Sequence, residues 1–284
     1  MTAKHTEAEI QGKLYFLPSD NDERKRLVGQ HNLILNGIGR KHIHAPVDLG
    51  SIGALLEIGT GTGIWLEEVA KQLPGTAEII GVDISSNLFP LSPPSNVSFQ
   101  QQSVLDLPKE WTNKFDFIHQ RLLILALRSE QWPVALGEIY RVLKPGGWFQ
   151  LYEIFGWENC GPAQARMNEL QILMYESRGI YGFWGSEGTQ WETFVKEAGF
   201  TNIQVTWHGW PMGKWAGEEG FLGGKCHLEY IKACKMPILG AGIVSGSEVY
   251  DELVEEVEKE LDSRYGMRNR CIMICGQKPM IVDE

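Results

Sequence analysis

The sequence predicts an α/β fold built on a doubly wound parallel sheet, and three observations carry the prediction. Short β-rich runs alternate with helical patterns through the middle of the chain. The first of these strands runs into a glycine-rich turn that opens a helix, and the second ends on an acidic residue. The first strand is Ala54 to Ile58, followed by a helical pattern from Thr62 to Leu73 with apolar residues at Ile64, Trp65, Leu66, Val69, Ala70 and Leu73 and a stop at Pro74-Gly75. Further strands are expected at Glu78 to Asp83, Val97 to Gln101, Phe115 to His119 and Trp148 to Tyr152, so the core of the sheet falls at residues 53–153. Two segments interrupt the alternation. Residues 154–189 are rich in glycine and aromatics, and residues 209–246 read as a second Gly- and Pro-dense insertion. A helix over Gln190 to Ala198 and a strand over Ile203 to Trp207 lie between them. After them comes a helix from about Glu248 to Arg264, with a possible capping box from Ser245 to Glu248 and an apolar stripe of Val249, Leu253, Val257 and Leu261, then a last strand at Cys271 to Cys275.

Composition bounds the function. A chain of 284 residues with 43% apolar and 22% charged residues has an ordinary globular balance and fits one elaborated domain over residues 1–284. Its net charge of -10, without a continuous basic run, offers no phosphate-neutralising surface, so nucleic acid is not an expected partner. Five cysteines without paired CxxC spacing give no zinc signature and suit a reducing compartment. No apolar signal core or span of about 18 uncharged apolar residues is present. The expectation is a cytoplasmic, or alternatively nuclear, protein with no membrane partner.

The informative segment is Leu55-Leu56-Glu57-Ile58-Gly59-Thr60-Gly61-Thr62-Gly63-Ile64. Glycines there let the backbone turn tightly and approach a ligand, while the helix start presents unpaired N–H groups. A dinucleotide fingerprint counted from Gly59 would need its third glycine where Ile64 stands, which disfavours a nicotinamide-dependent oxidoreductase. Glu57 just before the turn would sit badly beside a pyrophosphate and well beside a cation. S-adenosylmethionine, with its ammonium and sulfonium, meets that requirement. Asp83, twenty residues beyond Gly63, can accept hydrogen bonds from ribose hydroxyls, and the turn Leu143-Lys144-Pro145-Gly146-Gly147 precedes a later aromatic strand.

These residues resemble class I methyltransferases, and more narrowly the fungal LaeA-like methyltransferases. The narrower resemblance takes in Tyr15 to Asp20 with Glu23, Arg26-Leu27 and Gln30-His31, the run Gly59 to Trp65, Phe115 to Arg121, Leu143 to Trp148, Trp210 to Trp215 and Gly276 to Pro279. It implies a Rossmann-like seven-stranded sheet with a final antiparallel strand, a helical lid from residues 1–50 and inserted cap segments on the acceptor side within 154–284. By position, Gly59, Thr60, Gly61 and Gly63 would cradle the methionine part, Glu57 would hold its ammonium side, and Asp83, with Ile84 beside it, would bind the ribose. Ser103 occupies the place where many relatives carry an aspartate that reads adenine, and Val104 would add a backbone contact. Gln120 and Arg121 would lie near the sulfonium and the acceptor, and Tyr15 would cover the cofactor.

Catalytic candidates come from position. Methyl transfer is an in-line displacement in which alignment matters most and a base is optional. His208, at the end of the sixth strand, and His119, on the fourth, are candidate proton acceptors. Glu153, after the fifth strand, is a candidate contact for a small-molecule acceptor, and Trp157, Trp184, Trp210 and Trp215 are candidate walls for it. His31 reads as a satisfied interior histidine and Arg121 as a loop-anchoring ion pair. No carboxylate cluster points to a catalytic metal. Two functions follow: an enzyme methylating nitrogen or oxygen of a small secondary metabolite, or a LaeA-like regulator that binds the cofactor and acts through protein partners.

Overall fold

A computed structural model describes residues 20–181, 189–263 and 266–280. Its sheet is formed by β1 (Ala54–Ile58), β2 (Glu78–Asp83), β3 (Val97–Gln101), β4 (Phe115–Arg121), β5 (Leu143–Glu158), β6 (Thr201–His208) and β7 (Arg268–Gln277), in the order β3-β2-β1-β4-β5-β7-β6. The first five strands pair in parallel, and β7 inserts antiparallel between β5 and β6. This is the seven-stranded arrangement the sequence predicts. Strand order reverses between β1 and β4, so the chain leaves the ends of these two neighbours in opposite directions and opens a crevice there.

The strands buried on both faces are the continuous apolar ones. All five residues of β1 are buried, and Leu55, Leu56, Ile79, Phe117, Ile118, Phe149 and Leu151 have 0–2% of their surface exposed. The helices α1 (Asn21–Gly37), α2 (Ile64–Ala70), α3 (Trp132–Val142), α4 (Pro162–Glu176), α5 (Thr189–Glu197), α6 (Gly217–Gly240) and α7 (Ser247–Ser263) surround the sheet. At the start of α1, Asp20 accepts from the amides of Asp22 and Glu23, an N-cap that satisfies two orphan donors.

Three boundaries differ from the sequence reading. Strand β5 runs from Leu143 to Glu158 because β7 supplies a long antiparallel partner, with a register shift between Ile154 and Gly156. The segment 209–246 contains a 24-residue helix despite its glycines and Pro237. Its glycines serve packing: a Cβ on Gly223 would stand 2.3 Å from the Pro211 carbonyl oxygen, and one on Gly220 2.1 Å from that of Gly213. They let α6 lie directly on the chain that follows β6. In α7, Tyr250 and Val254 join Leu253, Val257 and Leu261 in the core, while Val249 is exposed. Glu260 of the same helix accepts from the amides of Ala163 and Gln164, capping α4 from another element.

Candidate active site

At the crevice between β1 and β4 lies a cavity of about 750 Å³. Its floor is the turn after β1. Gly59, Gly61 and Gly63 all have positive φ, and Gly59 approaches Leu123 so closely that a Cβ would meet Leu123 Cδ2 at 2.7 Å. Gly59, Thr60 and Gly61 line the cavity together with Asp83, Ile84 and Val104. Gly63 sits one step further on, as the left-handed N-cap of α2, where a Cβ would meet Phe99 Cζ at 2.6 Å; its role is to turn the chain. Asp83 accepts from the amides of Gly61 (2.9 Å) and Ser85 (3.1 Å), which ties the end of β2 to the glycine turn. Burial raises the Asp83 pKa, opposed by those backbone donors.

Beneath the turn is a buried electrostatic cluster. Glu57 is 1% exposed. Thr60 Oγ1 donates to its Oε2 at 2.6 Å, whereas its Oε1, 3.4 Å from His119 Nδ1, has no hydrogen-bond partner among the described residues. Burial pushes the Glu57 carboxyl up to about 7, against the pull of Arg121. His119 stacks on Trp65 with ring centroids 3.7 Å apart and planes 10° from parallel. Burial, and then the Arg121 charge, holds its pKa well below the ordinary value. His119 is therefore a neutral packed ring under the site, and its expected role as proton acceptor does not match its place.

Arg121 lines the cavity, aimed by neighbours that the sequence did not connect. Its guanidinium donates to His31 Nδ1 at 3.0 Å, and His31 Nε2 lies 3.0 Å from Glu68 Oε2. The same carboxylate oxygen lies 2.8 Å from His42 Nε2. His31, His42 and Glu68 are close enough to suggest a metal centre. The donor chemistry argues otherwise: a guanidinium can only donate, so His31 Nδ1 is the accepting nitrogen and Nε2 carries the proton given to Glu68. The neutral ring then has no lone pair at Nε2 for a cation. Burial, and next the Arg121 charge, lowers the His31 pKa to about 4. The triad fixes Arg121 and joins α1 to α2.

The remaining predicted residues separate. Glu153 is 0% exposed; it accepts from Gln120 Nε2 (2.6 Å) and from the amides of Leu123 (2.8 Å) and Ile124 (3.2 Å). It holds the loop after β4, whose Leu122 has φ +58°, and does not line the cavity; alternation along β5 sends Ile154 to the cavity wall instead. Burial pushes the Glu153 carboxyl up to about 8. Gln120, fully buried, serves that same loop rather than the cofactor. Ser103 is buried and accepts from the Leu105 amide through Oγ, leaving Val104 as the neighbour on the cavity wall. His208 is half-buried beside His44 and Thr206, outside the cavity lining, because its face of β6 looks toward the segment before β1. Tyr15 and Trp184 lie outside the described residues.

The cavity extends past the cofactor turn into a chamber between α1, α4 and α6. Trp157 and Trp210 form part of its wall, as the sequence suggested, whereas Trp215 donates to the Met212 carbonyl oxygen away from it. Sequence reasoning missed Tyr175, Cys226, His227 and Tyr230, which also line it. The last three recur at helical spacing, a signal hidden within the Gly- and Pro-dense insertion 209–246.

Comparison with known proteins now bears on this geometry. Residues 55–147 match the family described as a methyltransferase domain. The N-methyltransferase tcpN of Claviceps purpurea is 38% identical over 65% of this chain and 67% of its own length. The chain belongs to the class I methyltransferase family. The N-methyltransferase sirN of Leptosphaeria maculans is 43% identical over 49% of each chain. Phosphoethanolamine N-methyltransferase 2 of Haemonchus contortus, solved in complex with S-adenosyl-L-methionine, superimposes with a TM-score of 0.51 at 21% identity, covering 88% of this methyltransferase and 53% of that chain. The chain spans 49–64% of the length of several curated relatives it matches.

Proposed function

We propose that this methyltransferase transfers a methyl group from S-adenosylmethionine to a nitrogen or oxygen of a small secondary metabolite, nitrogen being the better supported. One observation supports the reading: a single cavity joins the glycine turn and Asp83 to a chamber walled by Trp157, Tyr175, Trp210 and Tyr230, with room for a donor and an acceptor side by side. The relatives named as N-methyltransferases support nitrogen. A LaeA-like regulatory role, the alternative reading, would need no such chamber, although protein partners are compatible with either. The buried thiols of Cys226, Cys234, Cys271 and Cys275 are consistent with a reducing cytoplasmic or nuclear setting.

The residues fit the cofactor. Glu57 Oε1 is an orphaned buried acceptor under the turn that would receive an ammonium, directly or through water, and Arg121 supplies the opposite charge for a carboxylate. Asp83 keeps lone pairs beyond those given to Gly61 and Ser85 for two hydroxyls. When bound, S-adenosylmethionine supplies an electrophilic methyl whose bond to sulfur breaks as the acceptor atom's lone pair forms the new bond. The protein's part is alignment and exclusion of water. Leu122 to Leu127, held by Glu153, wall the cavity on one side, and Leu27, His31 and Ile34 of α1 wall it on the other. Such positioning supplies roughly 7 to 11 kcal/mol in favourable cases.

Calorimetry with S-adenosylhomocysteine tests the donor site. Binding is expected, and Asp83→Ala should weaken it by about 1 kcal/mol or more; an unchanged affinity removes Asp83 from the site. Incubation with S-adenosylmethionine and host metabolite extracts, followed by mass spectrometry for the gain of one methyl group, tests the acceptor side.

A further inference from the structure

The wall of the chamber beyond the glycine turn contains a histidine whose hydrogen-bonding state is fixed from behind. His227 on α6 is 6% exposed and lines the cavity. Its Nε2 lies 2.8 Å from Gln164 Oε1 on α4. The Gln164 amide is itself oriented, because its Nε2 donates to Asn168 Oδ1 at 2.6 Å, so its oxygen is the end that meets the imidazole. An amide oxygen only accepts, hence His227 Nε2 carries the ring proton and Nδ1 carries the lone pair. Among the described residues Nδ1 has no hydrogen-bond partner. Burial lowers the His227 pKa to about 3, so the ring is uncharged at neutral pH.

The surroundings say what such a lone pair meets. The Trp157 ring lies 5.3 Å from the imidazole centroid and the Tyr230 ring 6.4 Å. Tyr230 and Tyr175 share a hydrogen bond between their hydroxyls. The charged residues of this wall, Glu23 and Arg26, are buried and paired with each other through two contacts of 2.7 and 2.6 Å, so they cancel. A charged guest would lose its hydration here without a counterion, which favours a neutral one. An unmet acceptor in an apolar box also discriminates strongly against a guest that cannot donate to it.

We propose that His227 determines acceptor specificity: its Nδ1 accepts a hydrogen bond from an N–H or O–H of a neutral, flat acceptor held against Trp157 and Tyr230. The proposal rests on the methyltransferase reading for the identity of the guest, whereas its test reads the chamber directly.

Indole and 1-methylindole are suitable probes, since both are flat and neutral and only the first can donate. They are titrated by NMR into the full chain with and without S-adenosylhomocysteine, whose own binding is recorded separately by calorimetry. Failure of the donor site then shows in the calorimetry and failure of the proposal shows in the probes. Wild-type protein should bind indole about five- to tenfold more tightly than 1-methylindole, the ratio expected for one buried hydrogen bond. In His227→Phe the preference should vanish or reverse, because the extra methyl then only adds apolar contact. In His227→Asn, whose Oδ1 takes the place of Nδ1, the preference should return in part. Nitrogen-15 spectra of the labelled imidazole should show a proton on Nε2 and a perturbation of Nδ1 by indole alone. A proton on Nδ1, equal binding of the two probes, binding of neither, or a preference that survives in His227→Phe would each overturn the proposal.

Discussion

Replacing Glu153 by glutamine tests whether the loop after β4 is held by a buried acid with a shifted proton affinity. The carboxyl is fully buried and accepts from Gln120 Nε2 and from two backbone amides. Burial raises its pKa from 4.5 to about 8 despite those donors. The neighbouring Gln120 Oε1, buried and unpartnered among the described residues, is an acceptor of the type a protonated acid requires. Because the folded state holds this proton more tightly than the unfolded chain, the contribution is complete below the unfolded value and is lost as pH rises toward 8. The limit is ~1.4 kcal/mol per pH unit over about 3.5 units, or ~5 kcal/mol in all. Glu57, raised only to about 7, shares the lower part of that window, so between pH 7 and 8 Glu153 dominates. Urea unfolding followed by tryptophan fluorescence should therefore show wild-type stability falling from pH 7 to 8. In Glu153→Gln the slope should flatten by as much as ~1.4 kcal/mol per pH unit. At pH 6 the variant should be about 1–3 kcal/mol less stable, since one amide loses its acceptor. Parallel slopes for the two proteins from pH 7 to 8 would refute the reasoning.

Two other expectations follow from single observations. Gly63→Ala puts a Cβ at φ +74° and within 2.6–2.9 Å of Phe99 and Pro90, which should cost about 2–5 kcal/mol of stability, from backbone strain of ~1–2 and overpacking of ~1–3; a loss under about 1 kcal/mol in urea unfolding would mean that the turn accommodates a side chain. His227 excludes its proton when folded, with a pKa lowered from 6.5 to about 3, so stability should decline as pH falls from 6.5 toward 3, by up to ~1.4 kcal/mol per pH unit for this ring. His227→Phe should lose that component of the acid limb, and an unaltered acid limb in the variant would count against it.

The glycine-turn half of the cavity was legible because its pattern is local in sequence. A strand, three glycines at alternate positions and an acid twenty residues on specify a turn and its partner whatever surrounds them, and Gly61 and Asp83 do meet through a hydrogen bond. The acceptor half depends on relations that no short window contains. Period-two alternation shows that neighbouring strand residues face opposite sides of a sheet, but not which side opens on the cavity; Glu153 and His208 were placed by strand ends and lie on the other faces. Glycine and proline density marks 209–246 only as an insertion, since propensity penalises glycine in a helix. In the fold those glycines gain close contact with Pro211 and Gly213, and the helix that results delivers His227 and Tyr230. Likewise His31 reads locally as core, and only the packing of α1 against α2 shows that it orients Arg121.

If the ammonium is held over Glu57 as proposed, the same burial that shifts this carboxyl makes cofactor binding a protonation event. With its carboxyl raised to about 7, the free protein at pH 7 carries a fraction of a proton there, while Oε1 lacks a donor. An ammonium arriving over the turn supplies the missing positive partner, favours the ionised form and lowers that pKa, so the bound protein keeps less of the proton. Binding must then release between zero and one proton near neutral pH, and affinity must increase with pH up to the free protein's value and level off above it. Calorimetric titrations of S-adenosylhomocysteine at pH 7 in phosphate and in Tris, whose ionisation enthalpies differ widely, should give different apparent enthalpies, and Glu57→Gln should bring them together. If the two buffers give the same enthalpy for the wild-type protein, Glu57 is either already ionised or out of reach of the ammonium, and the electrostatic account of the turn fails with it.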